Sequence, residues 1–218
     1  MMESAAALFP ELVVLGVKRV RLSRWLAFYE SDPASVEVTA RVVAEPDPTE
    51  FSGAQEEVLV EVRDLGRASE ATDEPGPLAA VGTVVLGGAY PAPPRKPACP
   101  WSNERAATVD VATTYDNLFH GRLFRGYLGV ERLGDEGIEG KVRALPRNEL
   151  FSHDADPPLV GDPVLLDVAM HPAVTWHLEQ PDQAGRIMLP FELDRLELYG
   201  PTPAPNARFL SRTHVLEE

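Results

Sequence analysis

The chain has 218 residues, 44% apolar and 25% charged, enough for one large domain or two small ones with a proper core. Its net charge of −14 argues against nucleic acid as a partner, because phosphate backbones would repel it. No run of about 18 apolar residues exists to cross a bilayer, the Met1-Met2-Glu3-Ser4 start lacks a secretory design, and the single cysteine, Cys99, can form no internal disulfide, which fits a reducing cytoplasm.

Met1 to Phe9 is rich in alanine and reads as a short helix stopped by Pro10. Val13 to Leu26 alternates loosely and reads as a long strand. Val36 to Val43 alternates more cleanly, with Val36, Val38, Ala40 and Val42 on one side. Glu57 to Arg63 and Leu78 to Leu86 are two further strands, separated by an acidic, solvated loop from Ala68 to Pro77. Residues 1–89 thus make a first half of one helix and about four antiparallel strands.

Residues 90–105 form a linker, stiffened by the prolines of Tyr90 to Pro97; Cys99 falls within it and reads as incidental. Residues 106–218 make the second half. There Ala106 to Val111 reads as a strand and Tyr115 to Phe124 as a short helix or turn. Gly126 to Leu133 and Gly137 to Arg143 pair as a hairpin around Gly134-Asp135-Glu136. A loop from Leu145 to Gly161 leads to a helix at Pro163. Pro172 crowds the carbonyl of Val168, so this helix bends or breaks, and Val174 to Leu178 continues as a second piece. Ile187 to Leu198 and Ala207 to Val215 close the chain as strands.

The chemistry concentrates in Pro163-Val-Leu-Leu-Asp-Val-Ala-Met-His171. A proline suits the first turn of a helix, where its missing N–H would be unpaired anyway. Spacing of four puts Asp167 and His171 on one helix face. An acid among Leu165, Leu166, Val168 and Met170 is expected to be buried, which favours its neutral, proton-donating form. The competing reading is a solvent-facing residue on an amphipathic helix.

This segment resembles the second half of the dehydratase domain of polyketide synthases and polyunsaturated-fatty-acid synthases. That family carries a helix P-x-L-L-D-x-x-x-Q/H, matched by Pro163, Leu165, Leu166, Asp167 and His171. It also carries an aromatic or His followed by G-P-x-F-Q-G. Phe119-His120-Gly121-Arg122-Leu123-Phe124-Arg125-Gly126 fits that frame, with Arg122 in place of Pro and Arg125 in place of Gln. Leu189-Pro190-Phe191 matches its Leu-Pro-Phe strand start, and Gly200-Pro201 closes that strand. The resemblance implies an α+β double hotdog, two antiparallel sheets each wrapped around a central helix, with the first helix and the last strands incomplete here. It implies loss of water from a 3-hydroxyacyl thioester, carried on the phosphopantetheine arm of an acyl carrier protein, to give a 2-enoyl thioester.

By the same resemblance Asp167 is the acid and His171 orients it or the hydroxyl. His120, Gly121, Phe124, Gly126, Leu189 and Pro190 shape the acyl slot. Arg122 and Arg125 could meet the phosphate of the arm; the plainer reading makes them surface charges that offset local acids. The family's base lies in H-x-x-x-G-x-x-x-x-P. Four residues after His120, His153, His171, His177 and His214 come Phe124, Pro157, Thr175, Pro181 and Glu218, so the motif is absent. The chain is therefore expected to be an internal piece of a longer synthase and inactive alone. A non-catalytic double hotdog that holds acyl chains, or a hotdog thioesterase, are the alternatives. No nucleotide motif or metal-ligand spacing appears, including around His120 and His177, so neither a resident cofactor nor a metal is expected. Expected partners are an acyl carrier protein, neighbouring synthase domains and a second copy of the chain, in the cytoplasm. Trp25, Trp101 and Trp176 read as core or interface aromatics.

Overall fold

The computed structural model describes residues 1–26, 34–45, 50–67, 76–95, 101–151, 159–181 and 190–216. Cys99, His153 and Leu189 lie outside the described residues. In order the elements are α1 (Met2–Ala6), β1 (Val13–Leu22), β2 (Ala34–Val42), β3 (Ala54–Arg67), β4 (Leu78–Gly87), α2 (Val111–Asp116), a 3-10 turn (Arg122–Phe124), β5 (Tyr127–Gly134), β6 (Gly137–Arg143), α3 (Pro163–Val168), α4 (His171–Leu178), β7 (Glu192–Glu197) and β8 (Arg208–His214). They fall into two compact units. One is Met1–Pro94 with Pro190–Pro201, the other Arg95–Leu189 with Thr202–Glu218.

The first unit is an antiparallel sheet in the order β2-β3-β4-β1-β7. Its core is aliphatic: Val58 and Val60 of β3, Val84, Val85 and Leu86 of β4, and Val14, Leu15 and Val17 of β1 are all buried. The short α1 packs on β1 to β4, with Met2 and Ala5 turned inward. The β1 strand ends at Leu22 rather than Leu26 and shifts register between Val14 and Gly16 and between Lys18 and Arg21. At Gly16 an added Cβ would lie 2.0 Å from the Leu196 carbonyl oxygen, so a glycine is what lets β7 close on β1 there. The clean alternation of β2 does make a strand, but at the sheet edge, where Val36, Val38 and Val42 are exposed.

The sequence pattern assigns Ile187 to Leu198 to the second half. The structure instead puts β7 in the first unit's sheet, with Leu196 opposite Val17 and Leu193 opposite Val20. Alternation identifies a strand and carries no information about which ladder it joins.

The second unit holds the sheet β5-β6-β8, with α4 packed on all three strands. Its β5–β6 hairpin turns through Asp135 and Glu136, as expected. Tyr115, Tyr127, Val142, Leu145, Val164 and Val168 form its core cluster. Ala106 to Val111 is not a strand. The backbone N–H groups of Thr108 and Val109 donate to the Glu179 carboxylate at 2.5 and 2.7 Å, and Asp110 caps α2 by accepting from the Thr113 N–H at 2.8 Å. A side-chain acceptor thus replaces a sheet ladder along this segment. Glu179→Ala removes that acceptor and is expected to lower stability by about 1 kcal/mol, read as a shift in the urea midpoint without a change in slope.

Candidate active site

The site is built in the second unit by α2, the 3-10 turn, α3 and α4. Asp162 starts α3 by accepting from the N–H groups of Val164 and Leu165, both at 3.0 Å, with Pro163 in the first turn. The break expected from Pro172 falls at Ala169 and Met170, just ahead of it. Pro172 then occupies the first turn of α4, where its missing N–H leaves no bond unmade. His171 consequently opens α4 and does not continue α3. Ala169 and Met170 both keep right-handed helical angles, so the four-residue spacing still delivers His171 to Asp167.

The Asp167 carboxylate lies between two imidazoles. His171 Nε2 is 3.1 Å from Oδ2, and His120 Nε2 is 3.2 Å from Oδ1 and 3.1 Å from Oδ2. The His120 and His171 ring centroids are 4.8 Å apart. The Asp167 side chain keeps 34% of its surface open, in contrast to the burial expected of it. Val164 and Val168, one helical turn apart, form the buried stripe of α3. Asp167 sits one residue off that stripe, about 100° round the helix, and so cannot share its burial.

Behind His171 the environment is buried and hydroxyl-rich. His171 is 1% exposed, and its Nδ1 lies 3.3 Å from the Tyr115 hydroxyl oxygen. That oxygen also accepts the Tyr127 N–H at 2.9 Å. Thr114 and Thr175, both fully buried, share a hydroxyl–hydroxyl bond of 2.8 Å, and the Thr175 hydroxyl donates to the Tyr127 oxygen at 3.3 Å. Burial pushes the Tyr115 phenol above its ordinary pKa. The Tyr127 N–H and the Arg125 charge pull it down, and Asp167 adds to the rise. Burial likewise raises Tyr127, against the Thr175 hydrogen bond. Both phenols therefore keep their protons at neutral pH. None of these four hydroxyl residues was singled out from the sequence, because no spacing marks them as partners.

The other sequence candidates lie beside this site or away from it. His120 stacks on Phe119 with centroids 4.5 Å apart, and its Nδ1 is buried without a protein partner. Phe124 packs against the core cluster beside Tyr115. Gly126 is fixed by crowding, since an added Cβ would meet the Arg143 carbonyl oxygen at 2.6 Å and Val168 at 2.9 Å. Gly121 faces open space and only opens the 3-10 turn. Arg122 pairs with Glu149 on the surface. Arg125 donates to the His120 carbonyl at 3.3 Å and lies over the Tyr115 ring at 5.2 Å. Pro190 belongs to the first unit and is exposed. Trp101 is buried, Trp176 donates to the Gly134 carbonyl at 3.1 Å, and Trp25 is 64% exposed.

The family described as "Polyketide synthase dehydratase N-terminal domain" matches residues 91–216, which include His120, Asp167 and His171. No curated protein matches. Among solved structures, the dehydratase domain of the CurF module of curacin polyketide synthase superposes with a TM-score of 0.66 at 17% identity, over 98% of this chain and 70% of that one. The corresponding CurK domain gives 0.64 at 19% identity, over 98% and 69%. Two inactive CurK mutants also match, one with an aspartate changed to asparagine (0.60 at 19% identity, over 94% and 67%) and one with a histidine changed to phenylalanine (0.62 at 18%, over 98% and 69%). At such identities the likeness shows the fold alone, an α+β double hotdog of two antiparallel sheets with a few helices. The family match spans more than half of the sequence, and on that ground the chain belongs to the polyketide synthase dehydratase family.

Proposed function

We propose that this chain supplies the acid half of a dehydratase site that removes water from a 3-hydroxyacyl thioester within a multidomain synthase. The observation that carries the reading is the Asp167 carboxylate held by His171 Nε2 at 3.1 Å, in a chain of this family. Asp167 protonates the departing C3 hydroxyl, His171 fixes the carboxyl group, and a base removes the C2 proton as the C2–C3 double bond forms. The inactive CurK mutants, one altered at an aspartate and one at a histidine, support a site of this two-residue type. The substrate is held on the phosphopantetheine arm of an acyl carrier protein, and neighbouring synthase domains and a second copy of the chain are the remaining partners, in the cytoplasm. The Glu149 pairing of Arg122 leaves Arg125 as the better of the two phosphate contacts.

The absent H-x-x-x-G-x-x-x-x-P motif favours a second reading, a double hotdog that holds acyl chains without turning them over. One experiment separates the two. The purified chain alone, and the chain joined behind a family segment that carries the motif, are given a 3-hydroxyacyl thioester, and the conjugated enoyl thioester is followed by its absorbance. No product from the first and product from the second are expected. Product from the chain alone would overturn the missing-base assignment, and none from either would favour the acyl-holding reading.

A further inference from the structure

Among the described residues, His120, Asp167 and His171 bring two imidazole nitrogens and a carboxylate oxygen to within 4.8 Å of one another. We propose that these three residues bind a divalent transition-metal ion of zinc's class, and that an ion held there prevents Asp167 from donating a proton. The binding stands on geometry alone; its inhibitory consequence rests on the dehydratase reading above.

A first-row ion bound at about 2.0–2.1 Å needs donor atoms about 2.9–3.4 Å apart. Two of the three edges already satisfy this, since both Nε2 atoms lie 3.1 Å from Asp167 Oδ2. The third edge, between the imidazoles, closes by rotating His120, whose ring is the less buried of the two. Two histidines and one carboxylate suit zinc, cobalt or copper rather than magnesium or calcium, and they leave coordination positions open. The third of Asp167 that remains exposed gives the ion a way in.

The surroundings set how tight this site can be. Ligation through Nε2 moves each ring's hydrogen to Nδ1. On His171 that N–H faces the Tyr115 oxygen, 3.3 Å from Nδ1, the outer partner that metal-bound histidines ordinarily have. On His120 the Nδ1 has no protein partner. A missing outer partner weakens metal binding by about 10–100-fold. The expected affinity is therefore below that of a site in which both histidines have outer partners. The separation of 47 positions between His120 and Asp167 explains why no metal spacing shows in the sequence.

The test is a cobalt(II) titration of the purified chain, followed by the visible absorption of the bound ion and then displaced with zinc. One saturating site is expected. His120→Ala should weaken it by at least about tenfold, Tyr115→Phe by about tenfold, and His214→Ala not at all. His120 is preferred to the buried His171 because its replacement is the less disruptive. Absence of a saturable band, or equal affinity in His120→Ala, would overturn the proposal. Zinc should also stop enoyl formation by the motif-carrying fusion. Cobalt binding in a fusion that makes no enoyl product would leave the metal site standing and end the dehydratase reading. Dehydration without cobalt binding would do the reverse.

Discussion

Asp167→Asn, in the protein that joins this chain to a motif-carrying segment, is expected to lower the dehydration rate by about 10²–10⁴-fold. An asparagine cannot release a proton, yet it nearly fits the same space. Its oxygen can accept from His171 Nε2, and its amide can donate to His120 Nε2 once that ring's hydrogen sits on Nδ1. Both partners lie within 3.2 Å of the carboxylate in the native chain. Thermal stability should therefore move little, and rate and melting temperature together separate lost chemistry from lost folding. His171→Gln is the informative contrast. A glutamine amide can still donate to Asp167, so a loss of less than about tenfold is expected if His171 only holds the carboxyl group. A tenfold or smaller effect of Asp167→Asn would remove Asp167 as the acid.

Much of this arrangement is legible in the residues, and most of the failures have a common cause. The β5–β6 hairpin follows from local alternation around Asp135-Glu136, and the α3–α4 break follows from the ring of Pro172. Asp167 and His171 are four apart, so a local rule brings them together. What the sequence withholds is non-local. Nothing in Glu192–Glu197 says that it pairs with β1, which lies far earlier in the chain. Nothing in Ala106 to Val111 says that Glu179 will take its N–H groups in place of a neighbouring strand. The proximity of His120 to Asp167, across 47 residues, is likewise a property of the folded chain. The burial expected of Asp167 failed for a different reason. Apolar neighbours in sequence point in other directions round a helix, so composition around a residue does not measure its burial.

Lys18→Met is expected to destabilise the first unit by about 3–5 kcal/mol, because it removes the ammonium that pairs with the buried Glu57 carboxylate. Lys18 interrupts the apolar run of β1 and is only 2% exposed. Its ammonium pairs with Glu57 at 2.6 Å and also with Glu50; Glu57 is itself 4% exposed. Burial opposes the charge on Lys18, but Glu50 and Glu57 together outweigh it and hold its pKa above the ordinary 10.5. A raised folded value means that the native state holds this proton more tightly than the unfolded chain does. The stabilisation is then complete below the unfolded value and is lost as pH rises through the folded one. Wild-type stability should fall on the alkaline side, and Lys18→Met should lack that component of the fall. Hydrogen exchange of the β1 and β4 amides reads the loss where it occurs. The double variant Lys18→Met/Glu57→Leu should recover most of it, since Glu50 is a third exposed and can turn to water. A loss below about 1 kcal/mol in Lys18→Met, or no recovery in the double variant, would mean that the pair does not tie β1 to β3 across β4.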